Sequence, residues 1–358
     1  MRFTRSVILF VCFLFSACNA DKFSDAVEFT AWKQNPILTP GPPGSWDNLG
    51  VWAPQIIFHQ DTFYLFYMGI QPPWNIGVGL AISTDEYNFS KYANNPVLAR
   101  GDHGFDTETV GPGIVVKKDS VWLMYFNAQH LDNYKPGQNI GRARAKSITG
   151  PWVKDEKPVI RSGIKGEWDA GFILPSAVLL MDDGTLVMYY TAGEDIALWN
   201  NFYIGMATSE DGLNWQKYND PTTTRPPFAE SDPVMKNGEP GEWDAAYVWM
   251  ANVQKTRDGF LMYYTGSKES VGNAVGGIGY ATSSDGIRWK KHEGNPVFHR
   301  DRDPFVKTSA NAYLENASVL FLDTLCLMYY DCGPFDIETY YIGMATGKRK
   351  SINYFNPE

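Results

Sequence analysis

The stretch "FLMYYTG" at residues 260–266, followed by "IGYATS" at 278–283 and "WKKHEGNPVF" at 289–298, decides the fold, because it returns along the whole chain. Its first part recurs as "YLFYMG" at 64–69, "WLMYFN" at 122–127, "LVMYYTAG" at 186–193 and "CLMYYDCG" at 326–333, with starts about 58 to 74 residues apart. The second part recurs as "IGVGLAIS" at 76–83, "IGRARAKS" at 140–147, "IGMATS" at 204–209 and "IGMAT" at 342–346. The third follows as "FSKYANNPVL" ending at Leu98, "WVKDEKPVI" ending at Ile160, and "WQKY" from Trp215 with a delayed "DPVM" ending at Met235. The fifth unit has no such ending, and the missing piece stands at the start of the chain as "WKQNPIL" at 32–38.

Segments that alternate apolar with polar residues and are bounded by Gly, Asn, Asp and Pro read as antiparallel strands. Five such units arranged radially predict an all-β, five-bladed β-propeller. The N-terminal strand would complete the last blade, closing the ring and leaving no long sheet edge open. A linear array would need polar capping units at both ends, and the sequence has none.

The repeat fills residues 30 to 346 without a linker, so residues 30–358 read as one domain. The first 17 residues carry Arg2 and Arg5, an apolar run and then small residues, as export signals do. "LFSAC" at 14–18 resembles a bacterial lipobox, which makes Cys18 the expected lipidation site and residues 18–29 a tether. The expected location is that of an exported bacterial lipoprotein, periplasmic or attached to the outer membrane, with the membrane reached through the lipid alone. Removing residues 1–17 takes away two arginines and no acid, making the formal charge of −9 still more negative. Such a surface repels phosphate backbones and excludes nucleic acid as a partner. Cys326 and Cys332 lie six residues apart on one strand, ~20 Å at ~3.3 Å per residue, too far for a disulfide without a sharp reversal.

In a propeller the inner strands converge on the axis, so side chains distant in sequence meet in one funnel. The acids at the openings of the inner strands are Asp47, Asp106, Glu108, Asp169, Asp244, Asp303 and Glu315. Aromatics make up 15% of residues and serve both blade packing and carbohydrate stacking, with Trp52, Trp74, Trp199 and Trp249 the candidates for the latter. Loops after the second strands add Asn127, Gln129, His130, Glu194, Asp195 and Asp331. Trp-Asp occurs in three units, at Asp47, Asp169 and Asp244, and a repeated acid often serves the scaffold by satisfying turn amides.

The Trp-Asp opening together with "MYYTG", "IGYATSSDGIRW" and "GNPV" resembles the five-bladed propeller glycoside hydrolases, the broad group of families 32, 43, 62, 68, 117 and 130, over nearly the whole mature chain. The resemblance implies three axial acids that cleave glycosidic bonds. It points to Asp47 as nucleophile or base, Glu108 as proton donor and Asp169 as stabiliser of the transition state. Trp52, His130, Asp244, Trp249 and Glu315 are then the expected substrate-binding residues. Family 43 opens its inner strand with Asp-Pro where this chain has Ala53-Pro54, and the Glu-Asp-Pro-Arg signature of family 130 is missing.

Glycosidic cleavage needs one protonated carboxyl and one carboxylate on either side of the sugar. No organic cofactor is implied and no His/Cys spacing suggests zinc, so no metal ligand is assigned, although a structural calcium at the axis is compatible with acids and backbone oxygens. The expected partner is a carbohydrate, and no protein partner is predicted. Two alternatives stand beside hydrolysis: a glycoside phosphorylase, for which Arg142, Arg144 and Arg300 would have to supply a phosphate site, and a surface glycan-binding propeller without catalysis.

Overall fold

The computed structural model describes residues 26–73, 75–102, 104–129, 138–194, 201–270, 276–307, 312–334 and 339–348. Five antiparallel sheets follow one another along the chain. The inner strands are Gly50–His59, Thr109–Lys118, Phe172–Leu180, Tyr247–Thr256 and Ala312–Leu322. Each pairs with a second strand, Thr62–Gln71, Val121–Gln129, Leu186–Gly193, Gly259–Ser267 or Leu325–Pro334, and then with a third and short outer ones. The expected ring closure is present. Phe29–Ala31 pairs with Tyr341–Lys348, placing Phe29, Thr30 and Ala31 opposite Gly347, Thr346 and Ala345.

The two tyrosines of the repeated "MYY" have different tasks. The first reaches the next blade: the hydroxyls of Tyr125, Tyr189 and Tyr329 donate to the carbonyls of Gly212, Gly286 and Glu86 at 2.9, 2.9 and 2.8 Å. The Tyr329 bond joins blade five to blade one, so it acts across the closure of the ring. Blade one carries Phe66 at the same position, which shows that the site accepts a ring without its hydroxyl. Tyr329→Phe is therefore expected to fold normally and to lose about 1 kcal/mol, the usual net worth of one hydrogen bond, measured by urea denaturation.

The second tyrosine stays in its own blade and explains the repeated Asn-Pro. Asn95 Nδ2 donates to the Tyr67 hydroxyl (3.2 Å) and to Leu80 O (2.8 Å), while Asn95 Oδ1 accepts from Leu80 N (2.9 Å). Asn295 does the same with Tyr264 and Tyr280, and Asn35 with Tyr330 and Met344. That Asn35 comes from the N-terminal segment and serves blade five is the side-chain counterpart of the strand closure.

All five inner strands bulge near the axis, between Trp52/Gln55, Val110/Gly113, Pro175/Ala177, Trp249/Asn252 and Glu315/Ser318. In three of them a residue other than glycine is driven to positive φ: Ala53 (47°), Met250 (45°) and Asn316 (54°). Such conformations cost energy and persist only where surroundings hold them. Here the neighbouring blade does so, because the three amides donate to Asp331 Oδ1 (3.3 Å), Thr191 Oγ1 (2.8 Å) and Thr265 Oγ1 (2.7 Å).

Cys326 and Cys332 are both buried, and no disulfide joins them. The proposed signal, Cys18 and the start of the tether lie outside the described residues, as do Trp74, His130, Asp195 and Trp199. No helix among the described residues is long and apolar enough to cross a membrane.

Candidate active site

Asp47, Asp169 and Asp244 are nearly fully buried, and each is engaged by a lysine of its own blade. Lys91 reaches Asp47 at 2.5 Å, Lys217 reaches Asp169 at 2.5 Å and Lys291 reaches Asp244 at 2.7 Å. Lys154 and Asp106 form the equivalent pair in blade two. The four lysines sit opposite Ala81, Ala207, Ala281 and Ala143, the alanine of each third strand. Blade five places Ala31 there, opposite Ala345, and Asp303 is held instead by the Tyr330 hydroxyl (2.5 Å) and Asn35 Nδ2 (3.0 Å).

The preceding tryptophans pack inside the blade as well. Trp46 stacks on Tyr67 (centroids 5.8 Å apart) and Trp168 on Tyr190 (5.9 Å). The smallness of Gly69 is what admits Trp46, since a Cβ there would lie 2.1 Å from its ring. The structure thus engages Asp47, Asp169 and Asp244 within their blades, and none of the three, expected as nucleophile, stabiliser and substrate ligand, is among the residues that line the axial recess. The physical reason is the lysine: a buried carboxylate is retained where a cation neutralises it.

The axial recess itself has a volume of about 150 Å³. Trp52, Ala53, Met68 and Ile76 line it from blade one, Thr109, Asn127, Gln129 and Gln138 from blade two, and Leu174, Trp249, Met250 and Asn316 from the remaining blades. Two of the expected substrate-binding residues, Trp52 and Trp249, therefore meet in one place. Trp249 is wedged against Phe172 and Phe202 (5.8 and 5.2 Å), which fixes its plane. The polar side is pre-arranged: Asn127 Nδ2 donates to Gln138 Oε1 (2.9 Å) and to Ile173 O (2.7 Å), and Gln138 Nε2 donates to Gln129 Oε1 (3.4 Å).

A wider pit of about 500 Å³ opens at the opposite end of the axis, lined by the far ends of inner strands including Ile57, His59, Leu179, Lys255 and Leu322. Its walls are mostly aliphatic and carry no carboxylate. Neither lining includes a carboxylate; volume favours the pit, whereas two tryptophans and a set of side-chain amides favour the smaller recess.

Glu315 is the expected site residue that the structure raises in importance. The inner-strand positions corresponding to it face the second strand as Trp52 opposite Met68, Leu174 opposite Thr191 and Trp249 opposite Thr265. Blade five alone replaces this neutral pairing with two carboxyls, Glu315 opposite Asp331. Both are buried. Glu315 Oε1 accepts the Tyr247 hydroxyl at 2.9 Å and lies against Gly276, where a Cβ would come within 3.0 Å of it. Burial pushes the Glu315 carboxyl up to about 7. Asp331, next to the recess-lining Ala53, is raised well above the ordinary carboxylate range by burial and then by the charge of Glu315.

Glu108 keeps its place at the rim. It is half-buried at the opening of the second inner strand, its N–H donating to Gln129 O (3.0 Å), next to the recess-lining Thr109, and it enters no ion pair among the described residues. Arg142 and Arg144 are both committed to Asp155, at 2.6 and 3.1 Å, and Arg300 donates to Ala312 O (2.9 Å). No group of His, Cys, Asp and Glu suited to a metal occurs among the described residues. Sequence reasoning did not select Asn316, Gln138 or Tyr247, whose neighbours come from other blades. Asn316 had one readable signal, its adjacency to the unrepeated Glu315.

No protein-family model matches the chain. The uncharacterized proteins MT1551 and Rv1502 of Mycobacterium tuberculosis are 26% identical over 198 residues, 51% of this chain. The match spans 59% of the length of those relatives. Among solved structures, a glycosyl hydrolase from Bacteroides ovatus superposes with a TM-score of 0.69 at 16% identity, covering 92% of this chain and 96% of that one. A structure from the family 130 mannoside phosphorylases, which contain glycoside hydrolases that target β-1,2 mannosidic linkages in Candida mannan, gives 0.69 at 17% over 92% and 96%. A thermostable family 43 glycoside hydrolase gives 0.60 at 17% over 86% and 95%. At such identities the likeness is one of architecture, and in architecture this chain is a five-bladed β-propeller of the kind that these glycoside hydrolases use.

Proposed function

We propose that this chain is a glycoside hydrolase that removes terminal sugars from oligosaccharides or polysaccharide ends, with Glu315 as proton donor. The observation that carries the reading is a buried carboxyl pushed up to about 7 on the residue that precedes Asn316, itself part of an axial recess walled by two tryptophans. A donor must be protonated when the bond breaks, and a carboxyl raised by burial meets that need at neutral pH. Trp52 and Trp249 offer flat apolar faces for a sugar ring, and Asn127, Gln129, Gln138 and Asn316 offer amides for its hydroxyls. The recess is below the ~300 Å³ typical of small-molecule sites, which suits one terminal residue and exo action. Glu108, next in the chain to the recess-lining Thr109 and without an ion pair among the described residues, is the carboxylate assigned to activate water.

Hydrolysis is preferred over phosphorolysis because Arg142, Arg144 and Arg300 already have partners. A glycan-binding propeller without catalysis is the second reading, favoured by the apolar Met68, Ile76, Leu174 and Met250 in the recess. Release of reducing sugar from a glycan panel, with and without phosphate, separates the three, since binding without release supports the last. The inner and third strands run from the recess to the far face, so the closing strand that pairs with Tyr341–Lys348 starts at that far face. A tether lipidated at Cys18 would then hold the enzyme with its recess turned away from the membrane.

The pH dependence has a definite sign. Activity requires protonated Glu315, so kcat/KM is expected to fall about tenfold for each pH unit above the Glu315 ionisation near 7. Between the ordinary value of 4.5 and about 7 the folded protein holds a proton that the unfolded chain lacks, so the Glu315 contribution to stability also declines as pH rises through that window. A pH–rate profile that is flat from 6 to 9 removes Glu315 from the donor role.

A further inference from the structure

The axial recess has two chemically different walls, and the division runs by blade. Blade two supplies the polar wall: Thr109 pairs opposite Gln129 and Gln129 opposite Gln138, which together with Asn127 gathers hydrogen-bonding side chains at one end of a single sheet. The other wall is one continuous apolar cluster, made by Ala53, Met68 and Ile76 of blade one, Leu174 of blade three, and Trp249 and Met250 of blade four. No charged side chain is among the described residues that line the recess. Blade five adds Asn316, which is 2% exposed and has no hydrogen-bond partner for Nδ2 or Oδ1 among the described residues.

Those walls set what a sugar must offer. A carboxylate or phosphate in the recess would lose its hydration and meet no cation, which excludes uronic acids and sugar phosphates. A hydroxyl turned toward the apolar cluster would exchange water for aliphatic carbon, also at a cost. Trp52 and Trp249 already provide faces for ring stacking, so Met68, Ile76, Leu174 and Met250 form an aliphatic surface that a fully hydroxylated hexose has nothing to place against. A methyl group does fit such a surface, and its removal from water is favourable. On the polar side, the unspent amide of Asn316 can accept from one hydroxyl and donate to another, which matches adjacent ring hydroxyls. We propose that the recess takes a neutral 6-deoxyhexose, with its C6 methyl against the aliphatic cluster and its ring hydroxyls on Asn316 and the side chains of blade two. The inference rests on the reading of the recess as the site of a terminal-sugar hydrolase and names the class of sugar it accepts. Preference over the parent hexose is expected to be about 10- to 100-fold, since an apolar pocket rejects an added hydroxyl only to that degree.

The test compares matched pairs on the full chain: L-rhamnose with L-mannose, L-fucose with L-galactose, and 6-deoxy-D-glucose with D-glucose. Free sugars are used for binding, by saturation-transfer NMR, and 4-nitrophenyl glycosides of both anomers for release. The C6 methyl protons of the preferred sugar should receive the most saturation. Met68→Gln keeps the length of the side chain but puts an amide on the apolar wall, and should reduce the preference about tenfold. Asn316→Gly retains a residue suited to the positive φ of 54° and removes the amide, so it should weaken both members of a pair alike. Release of hexoses as fast as of their 6-deoxy partners, or tighter binding of N-acetylglucosamine, overturns the sugar class while leaving the hydrolase reading in place. Selective binding of a 6-deoxy sugar with no glycoside released upholds the class and overturns the hydrolase reading instead. An unchanged preference in folded Met68→Gln removes the methyl from the aliphatic wall, and the absence of both binding and release for every pair ends the proposal. Should either variant fail to fold, the wild-type ratio decides alone.

Discussion

Glu315→Gln is expected to lower kcat by at least about 100-fold, the low end of what general acid catalysis contributes, while stability at acid pH, where Glu315 is protonated, changes by less than about 1 kcal/mol. Glutamine has the shape of the protonated acid and can still accept the Tyr247 hydroxyl, so neither a cavity nor an unpaired charge is created. What it lacks is a proton to give. The sign of the pH effect separates this from damage to the fold: the variant should lose the decline in stability between 4.5 and about 7, because nothing at position 315 titrates any longer. Measured side by side, kcat falls and Tm above pH 7 stays level or rises. Turnover within tenfold of wild type would move the donor role to Glu108.

The same repetition that made the fold legible drew attention to acids that the structure engages within their blades. Strand phrases recurring five times, and an N-terminal "WKQNPIL" that fits the gap in the fifth unit, fixed the blade count and the closure in advance. Trp-Asp recurs for a matching reason, since every blade must anchor its inner-strand opening to its outer strand. The lysines that identify those aspartates as anchors were visible in "FSKY", "WVKD", "WQKY" and "WKKH", but their register opposite the third-strand alanines appears only in the sheets. The proposed site is built from residues that break the repeat. Glu315 stands where the other aligned blades have Trp52, Leu174 and Trp249, and Asp331 where two have threonine. Tyr247 and Gln138 offered no such signal, because their importance depends on how far apart neighbouring blades stand, which no local pattern encodes.

Stability, unlike catalysis, should depend most on one of those anchors. Asp169→Ala is expected to destabilise the protein by about 3 kcal/mol, the low end of the cost of breaking a buried ion pair, because it leaves the Lys217 ammonium, only 18% exposed, without its partner. The stranded charge cannot turn easily to water, since Lys217 is anchored in the blade by its pairing opposite Ala207, and the neighbouring Tyr190 and Trp168 offer no anion. The deficit should belong to the lysine rather than to the lost aspartate. Asp169→Leu combined with Lys217→Met ought to recover most of it, for a pair replaced by apolar side chains removes the desolvation cost along with the attraction. Blade five supports that expectation, since it already closes around Ala31 without any lysine. Urea denaturation of Asp169→Leu, Lys217→Met and the double variant gives the coupling directly. If the double variant is no more stable than Asp169→Ala, the aspartate acts through Ser231 and the backbone around it, and the lysine is incidental.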